Sequence, residues 1–144
     1  MPQIQRSALL HCSPERMYRV VSDVERYPEF VPYCVAARAS ADGDAVIASL
    51  DLAAKGFKEQ FTTRNVAIPN ERLDMQLVDG PFSVFTGVWQ LQAIGDAGCQ
   101  VDLTVDFEFR GGLKLLGRVV GRSVGLAADR IVDAFCQRAE GADG

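Results

Sequence analysis

The hydrophobic period of the chain changes once, abruptly, between residues 101 and 135. Val101, Leu103, Val105, Phe107 and Phe109 alternate with Asp102, Thr104, Asp106, Glu108 and Arg110, the pattern of a strand with one apolar and one wet face. Gly111-Gly112 ends that run. Leu113, Leu116, Val120, Val124, Ala127, Ile131 and Phe135 then recur at steps of three and four, which is one stripe of a long helix. A lone long helix closing a largely β chain buries its stripe across the open face of the sheet. One helix covers a curved sheet incompletely, and the space between them is the first place to look for function.

The preceding residues supply the sheet. Residues 3 to 12 read as a first strand. Ser13-Pro14-Glu15 is a helix start, with Ser as N-cap, Pro at the first helical position and an acid in the first turn. Met17, Val20, Val21 and Val24 give a short amphipathic helix. Pro28 and Pro32 limit Tyr27 to Tyr33 to a helical turn within a loop. Strands follow at 34 to 41, from Val46 to Ala54, at 58 to 68, at 71 to 78 and from Phe85 to Leu91. Their separators are Asp42-Gly43-Asp44, Gly56, Pro69-Asn70, Asp79-Gly80-Pro81 and Gly95-Asp96-Ala97-Gly98. Consecutive strands joined by tight turns pair antiparallel. The expected fold class is α+β: a curved, seven-stranded antiparallel sheet wrapped around a long C-terminal helix, in one domain spanning residues 1 to 144.

Several function classes recede on composition. No apolar run reaches the length of a membrane span, and Met-Pro-Gln-Ile-Gln-Arg-Ser has neither a signal-peptide nor a transit-peptide pattern. The expectation is a cytoplasmic protein, or one peripheral to the inner membrane. A net charge of −4 argues mildly against a nucleic-acid partner. Cys12, Cys34, Cys99 and Cys136 form no Cys-x-x-Cys pair and read as buried free thiols rather than zinc ligands. His11, the single histidine, removes multi-His metal sites and disfavours a Ser-His or Cys-His catalyst. It reads as a structural residue of the first strand. No metal and no catalytic cofactor are expected.

Ser22-Asp23-Val24-Glu25-Arg26-Tyr27-Pro28-Glu29-Phe30-Val31-Pro32-Tyr33-Cys34 resembles the D-v-e-x-Y-P-e-F-v-P-w-C signature of the coenzyme Q-binding START-domain proteins. The bacterial ribosome association toxin family, often labelled oligoketide cyclase or lipid transport protein, carries the same signature. Leu77-Val78-Asp79-Gly80-Pro81-Phe82 with Gly87-Val88-Trp89, and Val132-Asp133-Ala134-Phe135 with Arg138-Ala139, resemble two further blocks of that family. Tyr33 stands where Trp is common, one amphipathic aromatic for another. The resemblance runs over nearly the whole chain. It implies the helix-grip fold, in agreement with the element order, and a prenyl quinone such as ubiquinone as the bound ligand.

The chemistry available to these residues is that of binding. An apolar pocket of drug size, about 300–1,000 Å³, would cost roughly 7 kcal/mol or more if left empty at about 24 cal/mol per Å³. That is comparable with the stability of a whole domain, so the pocket must be small, hydrated or occupied. Candidate ligand contacts are Tyr27, Phe30 and Val31 at the mouth, Phe61, Phe82, Phe85, Trp89, Val105 and Phe107 on the sheet, and Leu116, Val120 and Val124 on the helix. The Tyr27–Tyr33 segment has a second reading, in which its aromatics plug the core. Thr63, Arg64 and Gln90 are candidate donors to a quinone head. Asp102, Asp106 and Glu108 share the outer face of their strand and are expected in water rather than in an acid–base pair.

Gly117, Gly121 and Gly125 follow no phosphate-loop pattern and read as a smooth stripe on the last helix. Lys114, Arg118 and Arg122 form a basic stripe there, either simply solvated or contacting anionic lipid or the large ribosomal subunit. With the resemblance added, three functions are expected in order: a monomeric lipid carrier supporting respiration, a protein similar to the ribosome association toxin that blocks subunit joining, and, least favoured, a polyketide aromatase or cyclase on the same fold.

Overall fold

A computed structural model of the chain describes residues 3–54, 57–109 and 117–141. The side chains of residues 54, 57, 109 and 117–124 lie outside that description. The elements are β1 (Gln3–Leu10), α1 (Pro14–Ser22), a 3-10 turn (Val24–Glu29), β2 (Cys34–Asp42), β3 (Ala45–Ala54), β4 (Phe57–Ile68), β5 (Arg72–Asp79), β6 (Phe82–Ile94), β7 (Gly98–Phe109) and α2 (Gly117–Glu140). The seven strands form one antiparallel sheet in the order β1-β7-β6-β5-β4-β3-β2. Hairpins account for every neighbour from β2 to β7. The chain reaches the opposite edge, from β1 to β2, through α1 and the 3-10 turn. Among the described residues, no helix is long and apolar enough to cross a membrane.

Local chemistry explains the element ends. Ser13 caps α1, its hydroxyl accepting from the Arg16 amide at 3.3 Å, with Pro14 in the first turn. Gly43, Asn70 and Gly95 take the left-handed conformation at three hairpin turns. β1 stops two residues earlier than the alternation suggests. His11 lies just past its end because its amide donates to Glu140 Oε2 at 2.8 Å instead of continuing the ladder. Val24 belongs to the 3-10 turn rather than to α1, yet it remains in the core.

Strand pairing sorts the side chains onto two faces. Leu103 lies opposite both Trp89 and Arg6, Val101 opposite Leu91 and Ala8, and Leu73 opposite Trp89. These rows form the inner, apolar face. Asp102, Thr104 and Asp106 pair with Gln90, Val88 and Thr86 on the outer face. Asp102 accepts from the Ser7 hydroxyl and Asp106 from Gln3 at 2.8 Å, so these acids sit in the solvated row that their alternation requires.

The C-terminal half of α2 closes one end of the inner face. Val132, Phe135, Cys136 and Ala139 are buried in one cluster with Met17, Val20 and Val21 of α1, and Trp89 of β6. Arg16 donates to the Gly141 carbonyl just past the end of α2, where a cation also meets the negative end of the helix. All four cysteines are buried and unbridged.

Candidate functional site

Two aromatic clusters divide the inner face. At the end where α2 finishes, Phe135 is the hub, with ring centroids 5.1 Å from Tyr27, 5.2 Å from Phe30 and 5.1 Å from Trp89. Tyr27, Trp89, Phe135 and Val31 are buried there, and the Tyr27 hydroxyl donates to the Val21 carbonyl. Burial, with smaller contributions from Cys34 and Asp23, holds the Tyr27 phenol far above its ordinary pKa. The 3-10 turn and the residues after it are fastened to α2. Arg138 pairs with Glu29 at 2.7 Å and lies 4.9 Å over the Phe30 ring, and Arg130 donates to the Tyr33 hydroxyl at 3.3 Å. Tyr27 and Val31 therefore pack into the core at this end.

The other cluster stands at the end of the sheet from which the chain passes toward α2. Phe61 of β4, Phe82 and Phe85 of β6, and Phe107 of β7 meet with centroid separations of 4.7 to 6.1 Å. Phe107 is buried, but Phe61, Phe82 and Phe85 are only half-buried, as are Leu50, Met75, Leu77 and Val105 on the same wall. A register shift between Phe82 and Val84 brings Phe82 beside Phe85. In a regular strand those two residues, three apart, would face opposite ways. Gly87 continues the wall opposite Val105 and Met75. A Cβ there would come within 2.6 Å of the Met75 methyl, so glycine leaves that thioether its place.

The candidate head-group donors separate cleanly. Arg64 is on the outer face, ion-paired with Asp42 at 3.1 Å, and Gln90 lies on the outer face between Arg72 and Asp102. Thr63 is on the inner face and buried, its hydroxyl donating to Asn65 Oδ1 at 2.7 Å. Asn65 is the wall residue that sequence reasoning missed. Phe61, Thr63, Asn65 and Ala67 do alternate, but the run Thr62-Thr63-Arg64-Asn65 is polar on either face, and only the pairing of Thr63 with Leu77 and Asn65 with Met75 assigns it. The calls on Leu116, Val120 and Val124 for ligand, and on Lys114, Arg118 and Arg122 for a partner, fall on side chains outside the described residues.

The wall offers little for acid–base catalysis. Among the described strand residues, its charged side chains are Arg6, at the edge and ion-paired with Asp129, and Glu59, exposed at the rim opposite Leu52. Burial raises the thiols of Cys12, Cys34 and Cys99, and takes Cys136 up to about 11, aided by Glu140 and Asp133. They stay protonated and unreactive at neutral pH. No group of His, Cys, Asp or Glu among the described residues suits a metal ion. A groove of about 390 Å³ opens on the other side of the sheet, lined by Ile68, Glu71, Arg72, Gln90, Leu91, Gln92 and Asp102. Its polar lining suits water better than a lipid tail.

Residues 10–136 match the model of a family described as polyketide cyclase/dehydrase and lipid transport. The chain belongs to the polyketide cyclase/dehydrase and lipid transport family. Within that family, it is 40% identical over 138 residues to the ribosome association toxin RatA of Pseudomonas aeruginosa, spanning 95% of this chain and 94% of the relative. It is 28% identical over 142 residues to the mitochondrial coenzyme Q-binding protein coq10 of Schizosaccharomyces pombe, spanning 93% and 84%. The fold matches that of a START superfamily protein from Mycobacterium smegmatis, with a TM-score of 0.79 at 18% identity over 96% and 97% of the two chains. It also matches the Zhui aromatase/cyclase from Streptomyces sp. R1128, with a TM-score of 0.87 at 16% identity over 99% and 98%. The helix-grip fold that the resemblance implies is therefore the fold of this chain, in agreement with the element order.

Proposed function

We propose that the chain is a single lipid-binding domain that holds a polyprenyl quinone, ubiquinone or a close chemical relative, against its inner wall beneath α2. It carries that lipid in support of respiration. The observation that carries the reading is the half-covered wall of Phe61, Phe82 and Phe85, set against the sealed cluster around Phe135. Each buried methylene of a prenyl tail contributes about 0.8 kcal/mol, so a few prenyl units bind such a wall without any charged contact. The lipid-transport family and the coenzyme Q-binding relative support the ligand class. The described wall holds no acid–base pair, which favours binding over cyclase chemistry. The protein would work as a monomer in the cytoplasm or at the periphery of the inner membrane. Lipid extraction and native mass spectrometry of protein from a quinone-producing host test this. Prenyl quinone should copurify and rebind on titration, and its absence from both experiments refutes the proposal.

A second reading rests on the relative named a ribosome association toxin, similar along nearly its full length. The outer face of the sheet is a poor surface for RNA, because Arg38, Arg64 and Arg72 are ion-paired with Asp51, Asp42 and Asp74. Contact with the large ribosomal subunit would then fall to the stripe of Lys114, Arg118 and Arg122. Overexpression should deplete assembled ribosomes in sucrose gradients, and joint Arg118→Glu and Arg122→Glu substitution should restore them. An unchanged profile on overexpression removes this reading and leaves lipid binding standing.

A further inference from the structure

The inner wall carries one polar feature away from its edges. Thr63 is 5% exposed and Asn65 6%, among Ala48, Leu77, Val46 and Met75, with Phe61 and Ala67 flanking them on β4. Burying a primary amide in such surroundings is costly unless its groups are hydrogen-bonded. Asn65 brings two N–H donors and an acceptor oxygen. The Thr63 hydroxyl occupies that oxygen at 2.7 Å and so sets the amide's orientation. Asn65 Nδ2 has no protein hydrogen-bond partner among the described residues. Among the described strand residues, the charges on this face are committed or peripheral: Arg6 is ion-paired with Asp129 at the edge, and Glu59 is exposed at the rim.

We infer that Asn65, held in place by Thr63, selects the ligand by donating a hydrogen bond to an acceptor oxygen on an uncharged lipid head. This rests on the lipid-binding reading above and narrows it. No cation among the described residues lies beside Asn65 on this face, so an anionic head such as a fatty carboxylate would be buried against these residues uncompensated, a cost that one amide donor does not offset. A carbonyl or methoxy oxygen fits, because it needs a donor and brings no charge. Selectivity arises from the pair as a unit. Thr63 fixes which way the amide turns, and Asn65 supplies the donor.

The test compares two probes of matched tail length, a short-tailed ubiquinone and an oxygen-free prenyl hydrocarbon. Both displace an environment-sensitive apolar dye from delipidated protein. Asn65→Leu, close in volume, should weaken the quinone about tenfold, the worth of one good neutral hydrogen bond, and leave the hydrocarbon unchanged. Thr63→Val should weaken the quinone by a smaller factor, about threefold, again without touching the hydrocarbon. Thermal melts identify any variant that fails to fold, and Thr63→Val carries the test if Asn65→Leu does. Equal effects on both probes, or none on the quinone, overturn the role of Asn65 while lipid binding stands. Wild-type protein that binds neither probe overturns both.

Discussion

Phe135 and Phe61 belong to aromatic clusters of similar size, yet truncating them should have very different consequences. Phe135 is 3% exposed and meets three rings within 5.2 Å, inside a cluster sealed by α1 and α2. Phe135→Ala leaves a void that this end of the core cannot collapse, at about 3–5 kcal/mol. At roughly 2–4 °C per kcal/mol for a chain of this size, the melting temperature should fall by about 6–20 °C. Phe61 is half-buried and faces Phe82 and Phe85, which are half-buried too. With part of the ring's surface still open, Phe61→Ala should cost delipidated protein less, about 1–2 kcal/mol. Circular dichroism melts and urea titrations of delipidated variants measure both numbers. Adding a prenyl quinone should raise the melting temperature of wild type and Phe135→Ala alike, and that of Phe61→Ala by less, since the ligand would lose an aromatic contact. If Phe61→Ala destabilises the ligand-free protein as much as Phe135→Ala does, the wall is ordinary packed core and the argument for a ligand against it collapses.

Three further outcomes follow from the same geometry. Ser13→Ala removes the hydroxyl that caps α1 and should lower stability by about 1 kcal/mol without altering ligand affinity, as read by urea unfolding. The buried thiols should resist a water-soluble disulfide reagent at pH 7 and react promptly in denaturant; rapid labelling of native protein would contradict their burial. Cys136 titrates at about 11 in the folded chain against 9.0 ordinarily, so the folded state holds its proton more tightly. Its contribution is complete below about pH 9 and lost as pH rises through about 11. Cys136→Ala should flatten the stability–pH curve across that window, and an unchanged slope would sink the assignment.

Much of the architecture was legible because it depends on periodicity. Val101 to Phe107 alternate in the sequence and line the inner face in the sheet, and Ser13-Pro14 opens α1 where it stands. The hub of the sealed cluster was visible as a member of the last helix's stripe. Its neighbours were not, because Tyr27, Trp89 and Phe135 lie far apart along the chain and only closure of the fold makes them one contact. Arg6 shows the same limit: it interrupts an apolar row, and its partner Asp129 comes from the opposite end of the sequence.

The candidate site was legible as a composition of wall residues and illegible as a division of labour. Phe61, Phe85 and Phe107 follow from strand parity, whereas Phe82 joins them only through the register shift beside Val84. Arg64, Gln90 and Thr63 stood as equals until pairing turned the first two to water and the third inward, beside Asn65.

What the sequence alone determined is local: which stretches form strands and helices, and which of two faces each strand residue shares with its second neighbours. Such features depend on dihedral preference and spacing, which act within a few residues. Tertiary structure decided which face is covered, how completely, and which distant side chains meet. Coverage is a property of surfaces brought together from both ends of the chain. The tight end around Phe135 and the less buried end around Phe61 are equally aromatic in sequence and differ in how far their rings are buried.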